Sequence, residues 1–277
     1  MGLHAHPCVY AGSGVIGTDD LLEFFSPNSK LKVDRYNLDE HVLLVIDDFL
    51  CDPEAVTHLA GQLDYGLDRQ PDSQFQRYPG ERARVSLYPE ETYAAILNTY
   101  RLEGGRPAPL VSYARNSLVF TRIDDDALEE LDARQVVPHV DAGIDVIAIV
   151  YLSAAEVGGG TAFYRHRATG LAHLPTHPSF DIARMMREAG FDPLKREDYT
   201  RFTKALMYSE LDAVSVASGE TGISESTAMW EVLRIVPLAY NRLIIFPACV
   251  FHSPIYTRRE GEDLAQRLTL NVFFTRA

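Results

Sequence analysis

Three segments decide the fold: DVIAIVYLS at residues 145–153, NRLIIFPACVFH at 241–252 and RLTLNVFF at 267–274. Each is rich in the β-branched and aromatic side chains that favour strands. The first is apolar on both faces, as expected of a central strand. Turns rather than regular crossover helices separate these segments from others such as SLVFTRI at 117–123 and WEVLRIVPLA at 230–239. This spacing favours an antiparallel barrel or sandwich over a doubly wound α/β fold.

Helical patterns flank and interrupt the strands. HVLLVIDDFL at 41–50 predicts a strand that leads into a helix, because Asp52 can cap that helix and Pro53 suits its first turn. Four helices are predicted, over about residues 53–64, 89–101, 179–190 and 196–207. Residues 66–82 show no period and are predicted to be a loop. The sequence therefore predicts a mainly β protein with helices (α+β), in which a helical insertion interrupts the β core.

Length and charge narrow the class of protein. The chain has 277 residues. Since a typical domain has about 150 residues, this length is compatible with one domain or with two. The net charge of -13 argues against nucleic-acid binding, which needs a basic face. The longest apolar run, Val146 to Leu152, is too short to cross a membrane, and MGLHAHPCVY at the start lacks the basic region of a signal peptide. We expect a soluble, cytoplasmic protein that binds neither nucleic acid nor membranes.

Weaker motifs are interpreted as structural. The three cysteines, Cys8, Cys51 and Cys249, form no CxxC pair, so they predict neither a disulfide framework nor a zinc ribbon. Residues 12–17 match GxGxxG, but without a preceding strand they are interpreted as a terminal loop. His173 and His177 have a helical spacing, yet the intervening Pro175 argues against a helical zinc pair.

The strongest candidate site combines His139, Asp141 and His252. On a strand, residues i and i+2 point to one face, so His139 and Asp141 can present an imidazole and a carboxylate to the same ion. His252, at the end of the segment 241–252, can add a second imidazole. Two histidines and one carboxylate form a facial triad that leaves positions open on an octahedral metal, as in non-haem Fe(II) oxygenases.

Six pieces of the chain, in order, carry a resemblance to a known family. They are IDDFL at 46–50, PHVD at 138–141, IVYLS at 149–153, GGGTAF at 158–163, NRLIIF at 241–246 and RLTLNVFF at 267–274. With these pieces the chain resembles the iron(II)- and 2-oxoglutarate-dependent oxygenases, especially the prolyl-4-hydroxylase-like branch, over residues 113–277 and the strand at 42–50. The resemblance implies a double-stranded β-helix (jelly roll) core.

The resemblance also implies a domain plan. Residues 1–277 would form a single catalytic domain, because the candidate ligands span the chain on both sides of the helical insertion. Within it, residues 1–112 would be an N-terminal support region of strands and helices, and residues 113–277 the jelly-roll core, with the insertion at about 166–228.

For the site, the resemblance implies Fe(II) bound by the two histidines and the aspartate, with 2-oxoglutarate and O2 as co-substrates. Arg267 would pair with the distal carboxylate of 2-oxoglutarate, and Tyr151 would hydrogen-bond the same group. Thr269 and Asn271 share the face of Arg267 by strand period and are further candidates for that contact. Because Asp141 is retained, hydroxylation is favoured over halogenation.

Three functions follow as hypotheses. The leading one is a dioxygenase that hydroxylates an unactivated C–H bond of a small molecule, such as an amino acid or biosynthetic intermediate, and converts 2-oxoglutarate and O2 to succinate and CO2. The second is a protein or peptide hydroxylase of the prolyl type. The third is a non-catalytic jelly-roll protein that binds or senses a ligand.

Overall fold

A computed structural model describes residues 10–11, 14–15, 18–65, 80–107, 111–124, 135–175, 177–207, 220–257 and 266–276. Its strands are β1 (Tyr10–Ala11), β2 (Gly14–Val15), β3 (Lys32–Leu38), β4 (His41–Asp47), β5 (Glu81–Val85), β6 (Val111–Ile123), β7 (Val146–Tyr151), β8 (Gly160–His166), β9 (Glu220–Thr221), β10 (Trp230–Pro237), β11 (Arg242–Pro247), β12 (His252–Thr257) and β13 (Arg267–Arg276). Its α-helices are α1 (Thr18–Glu23), α2 (Pro53–Gly61), α3 (Glu90–Leu102), α4 (Phe180–Glu188) and α5 (Arg196–Met207).

Seven strands form a large antiparallel sheet in the order β3-β4-β11-β7-β13-β6-β5. The alternation of side chains along β7 shows how its faces are used. Val146, Ala148 and Val150 pack in a core with residues of α1, α2 and α3. Ile147 and Tyr151 point the other way, into a core between two sheets. This explains why the segment is apolar on both faces.

The second sheet has four strands in the order β10-β8-β12-β9, and its pairs are antiparallel. Phe163 of this sheet meets Phe246 of the large sheet edge to face, with ring centroids 5.0 Å apart. Ala162 and Tyr164, on the opposite face of β8, pack with side chains of α4 and α5. Two mostly antiparallel sheets therefore face each other with helices on both outer sides, which is a mixed α+β architecture rich in β structure.

The predicted helices are present, with small shifts at their ends. The side chain of Asp52 accepts a hydrogen bond from the Ala55 amide at 2.9 Å, and that of Ser179 accepts one from the Ile182 amide at 3.3 Å. The first predicted helix ends three residues early, because Gln62 caps α2. The helix predicted over 196–207 has those bounds.

Two sequence predictions are wrong in detail. The last two residues of the loop predicted over 66–82, Glu81 and Arg82, belong to β5, which pairs with β6. Residues 66–79 lie outside the described part of the chain. The segment 241–252 is two strands instead of one, because β11 ends at Pro247 and the Val250 amide donates to the Pro247 carbonyl in a turn. His252 therefore begins β12. Of the predicted terminal loop at 12–17, only residues 14–15 are described, and they pair with 10–11.

A glycine turn brings β8 beside β12. Gly159 has a φ of +75°, and a Cβ there would lie 2.2 Å from the carbonyl oxygen of Ile255. Only glycine fits so close an approach in this conformation. Among the described residues, no helix is long and apolar enough to cross a membrane.

Candidate metal centre

Backbone hydrogen bonds hold the segment 139–141 against the turn between β11 and β12. The amides of His139 and His252 each donate to the other residue's carbonyl at 2.9 Å, and the Asp141 amide donates to the Ala248 carbonyl at 3.0 Å. His139 forms an isolated bridge with His252, so the regular strand expected at 139–141 is absent there. The bridge nevertheless brings together three side chains that are distant in sequence.

The ligand atoms of His139, Asp141 and His252 all lie within 4.8 Å of one another. Nε2 of His252 is 3.7 Å from Oδ2 of Asp141. The two imidazole centroids are 4.7 Å apart. Ligands of an octahedral ion are about 3 Å apart when each is ~2.1 Å from it, so a modest contraction of this cluster would bring all three side chains to bonding distance from one ion.

The tautomer of both histidines is fixed by the backbone. Nδ1 of His139 is 3.0 Å from the Val137 carbonyl oxygen, and Nδ1 of His252 is 2.9 Å from the Val250 carbonyl oxygen. A carbonyl oxygen can only accept, so each Nδ1 carries the proton. Each Nε2 is then left with a lone pair, which is the arrangement that orients histidine ligands in metal sites.

Electrostatics favour the ligating protonation states of His139 and Asp141. Burial and the neighbouring His252 lower the pKa of His139 below its ordinary value, which favours the neutral imidazole. Burial alone would raise the pKa of Asp141, but the neighbouring His252, His139 and Arg82 lower it to about 2. The site therefore presents a neutral His139 imidazole and an ionised Asp141 carboxylate.

Arg267 is a buried cation at the start of β13. Its exposed fraction is 7%, its Nη2 donates to the Gly160 carbonyl at 3.2 Å, and its buried Nε has no hydrogen-bond partner. Within the described ranges no carboxylate pairs with it. Buried charges are normally paired, because desolvation is costly. Arg267 is thus a ready receptor for a ligand carboxylate.

Two tyrosines flank the Arg267 guanidinium. Its Cζ lies 5.8 Å from the Tyr151 ring centroid and 4.8 Å from that of Tyr256. The Tyr151 hydroxyl is 2.7 Å from the Thr161 hydroxyl. Burial raises the pKa of Tyr151, and raises that of Tyr256 to about 12. Both phenols therefore remain neutral near pH 7.

Thr269 and Asn271 are buried next to Arg267 on the same face of β13, as the strand period predicts. The Asn271 amide nitrogen is within 3.3 Å of the Thr269 hydroxyl, 3.0 Å of the Thr121 hydroxyl and 3.2 Å of the Val119 carbonyl. The bonds to Thr121 and Val119 join β13 to β6. The structure thus gives the Asn271 amide nitrogen a cross-strand role.

Three residues near the centre were not found from the sequence. Arg82 contributes positive charge at Asp141, but it fell in the segment interpreted as a loop. Phe246 packs edge to face on the His252 ring, with centroids 4.8 Å apart. Tyr256, stacked on Arg267, follows His252 on β12 at an even spacing, so strand alternation from His252 was the signal that would have found it.

A family model described as "Family of unknown function (DUF6445)" matches residues 27–206 and 194–274, which is more than half of the chain. The first segment contains His139 and Asp141, and the second contains His252 and Arg267. No curated protein matches the chain.

Proposed function

The chain belongs to the DUF6445 family, and we propose that it is an Fe(II)- and 2-oxoglutarate-dependent dioxygenase built on a double-stranded β-helix. One observation carries the proposal. A cluster of two imidazoles and a carboxylate, with both tautomers fixed, occurs in the same fold as a buried arginine that lacks a partner for its Nε. A metal and a carboxylate ligand would satisfy both features.

The order of the strands supports the jelly-roll part of the proposal. From β7 to β8 the chain passes from the large sheet to the small one, and from β10 through β13 it alternates between them at each step. β6, β13, β7 and β11 are neighbours in one sheet, and β10, β8 and β12 are neighbours in the other. Alternation between two facing sheets is the pattern of a double-sheet jelly roll.

The donor set fits Fe(II). Two imidazoles and one carboxylate on one side of an octahedral ion leave about three positions for other ligands. His139, Asp141 and His252 would hold the metal, and their hydrogen bonds to the backbone would fix its position. When bound, iron supplies the oxidative chemistry with 2-oxoglutarate and O2, while the protein supplies position and access.

The geometry suits a short dicarboxylate between the metal and Arg267. His252 pairs with Phe163 across β12 and β8, and Arg267 donates to Gly160, three residues along β8 from Phe163. At about 3.3 Å per residue this separation is roughly 10 Å. A five-carbon dicarboxylate that chelates the metal covers a distance of this order. Arg267 would then hold its far carboxylate with charge-assisted hydrogen bonds, and neutral Tyr151 would donate one more.

Limited access favours a small-molecule substrate. The side chains of His252 and Asp141 are only 7% and 16% exposed. The helices of the insertion do not add to this argument, because Ile182, Met186 and Phe202 pack in the core on the outer face of the small sheet. The proposed reaction is hydroxylation of an unactivated C–H bond, with conversion of 2-oxoglutarate and O2 to succinate and CO2.

The test measures succinate formed from 2-oxoglutarate by the full chain with Fe(II), against a panel of amino acids and biosynthetic intermediates. We expect turnover by wild type and none by His139→Ala, with the exposed-histidine variant His58→Ala as active as wild type. Turnover stimulated only by peptides would indicate a protein hydroxylase. If wild type and His139→Ala are equally inert and neither binds Fe(II), the proposal fails.

A further inference from the structure

A second cluster of metal-ligating side chains lies outside the candidate iron site. Glu40, His41 and His173 place their ligand atoms within 4.8 Å of one another. Sγ of Cys249 is 3.8 Å from Nε2 of His41. The cluster therefore offers two imidazoles and a carboxylate, with a thiol beside the His41 imidazole, and all of these donor types occur in zinc sites.

Two pairs of these donors have the spacing of neighbouring ligands on a tetrahedral ion. Tetrahedral zinc with bonds of about 2.1 Å to nitrogen or oxygen and ~2.3 Å to sulfur places neighbouring N and O ligands about 3.4 Å apart and N and S ligands about 3.6 Å apart. Nε2 of His173 is 3.2 Å from Oε1 of Glu40, and the distance from Nε2 of His41 to Sγ of Cys249 is 3.8 Å. Both pairs are within a few tenths of an ångström of that geometry.

The backbone around the donors is held by other contacts. The turn between β3 and β4 has Asp39 in the left-handed region, with a φ of 53°, and Arg165 forms an ion pair with the Asp39 carboxylate. On the other side, the Leu174 amide donates to the Cys249 carbonyl at 2.8 Å, and the Phe251 amide donates to the Ala172 carbonyl at 3.0 Å. Three distant segments therefore present their donors from fixed positions.

We propose that Glu40, His41, His173 and Cys249 form a zinc site that is separate from the iron site. The soft thiolate distinguishes this site chemically, because the ligands His139, Asp141 and His252 include no sulfur. The Glu40 side chain is 71% exposed and the His173 side chain 21%, so the ion has a path from solvent past Glu40. Sequence spacing could not reveal the site, since its ligands come from three unrelated segments.

The zinc would connect the start of the helical insertion to the candidate iron site. His173 forms an isolated bridge with Val250, whose carbonyl accepts from Nδ1 of His252. Cys249 immediately precedes Val250. A metal bound to His173 and Cys249 would therefore fix the turn that orients the His252 ring. The zinc site itself does not depend on the proposed oxygenase activity.

The test is a Co(II) titration of the full chain, freed of metal, followed by absorption spectroscopy. Tetrahedral cobalt with a thiolate ligand gives a sulfur-to-metal charge-transfer band and intense visible bands. We expect these bands in wild type, in the matched control Cys51→Ser and in His139→Ala, and we expect Cys249→Ser to lose the charge-transfer band. Glu40→Gln, a change at an exposed side chain, is expected to keep that band but weaken cobalt binding by roughly tenfold or more.

Two results would overturn the zinc site: absence of the charge-transfer band in wild type, or its retention in Cys249→Ser. Circular dichroism of Cys249→Ser checks that the variant is folded. Wild type should also bind a second equivalent of cobalt, without sulfur, at His139, Asp141 and His252. If His139→Ala keeps the charge-transfer band but loses this second equivalent, the result supports both sites. If the second equivalent never binds, the iron proposal fails while the zinc site stands.

Discussion

Replacing Arg267 with methionine tests how the proposed co-substrate is held. The guanidinium is 7% exposed, and its buried Nε lacks a partner, so folding has already incurred the cost of desolvating the charge. Two charge-assisted hydrogen bonds to a carboxylate contribute about 3–6 kcal/mol together. At about 1.4 kcal/mol per factor of ten, Arg267→Met should weaken 2-oxoglutarate binding by at least ~100-fold.

The assay is calorimetric titration of 2-oxoglutarate into the Mn(II)-loaded protein, with pyruvate as a second ligand that lacks the distal carboxylate. Pyruvate affinity should be the same in wild type and Arg267→Met. The matched control is Arg122→Met on the neighbouring strand β6, because Glu81 already pairs with that guanidinium at 2.6 Å. This control should bind 2-oxoglutarate as wild type does.

The same change should leave the ligand-free protein as stable as wild type or more so. Removing a buried charge that has no counter-ion among the described residues relieves a desolvation penalty, and even the replacement of buried ion pairs by apolar side chains is often neutral or stabilising by about 1–4 kcal/mol. Chemical denaturation measures the free energy of unfolding. The reasoning is refuted if Arg267→Met weakens pyruvate and 2-oxoglutarate equally, or if it leaves both affinities unchanged.

Three further predictions concern the metal, the fold and the co-substrate contact. His252→Ala should abolish the rise in melting temperature that Mn(II) gives wild type, as followed by calorimetry; an undiminished rise would exclude His252 as a ligand. Asn241→Ala should lower the free energy of unfolding by about 2–3 kcal/mol, since Asn241 has a φ of 58° and makes two 2.9 Å bonds to the Leu50 backbone. In urea denaturation, an effect no larger than that of the exposed-residue control Asn37→Ala would contradict this. Tyr151→Phe should weaken 2-oxoglutarate binding about three- to tenfold in the same calorimetric titration, for one lost hydrogen bond, whereas unchanged affinity would remove Tyr151 from the contact.

The sequence predicted the parts of the fold that depend on local chemistry. The helix caps at Asp52 and Ser179 could be predicted because their side-chain oxygens accept hydrogen bonds from amides in the first turn, which have no partner within the helix. The apolar pattern of β7 indicated a strand buried on both faces, and the structure gives it a helical core on one face and a second sheet on the other. Such signals need only neighbours along the chain.

Features that depend on distant contacts were missed. The break between β11 and β12 follows from Pro247 and its turn, and it moves His252 from the end of one strand to the start of another. Arg82 was missed because the residues before it show no hydrophobic period. In the structure it lies in β5, a strand that pairs with β6. The cluster around His173 depends on a bridge to Val250 that no sequence spacing encodes.

The most direct measurement of the central proposal is the visible spectrum of the anaerobic protein with Fe(II) and 2-oxoglutarate. Chelation of Fe(II) by a 2-oxo acid gives a metal-to-ligand charge-transfer band without any substrate. We predict this band in wild type, its absence in His252→Ala, and its appearance in Arg267→Met only at about 100-fold higher 2-oxoglutarate. A wild-type protein that gives no band at saturating Fe(II) and 2-oxoglutarate would contradict the proposed function.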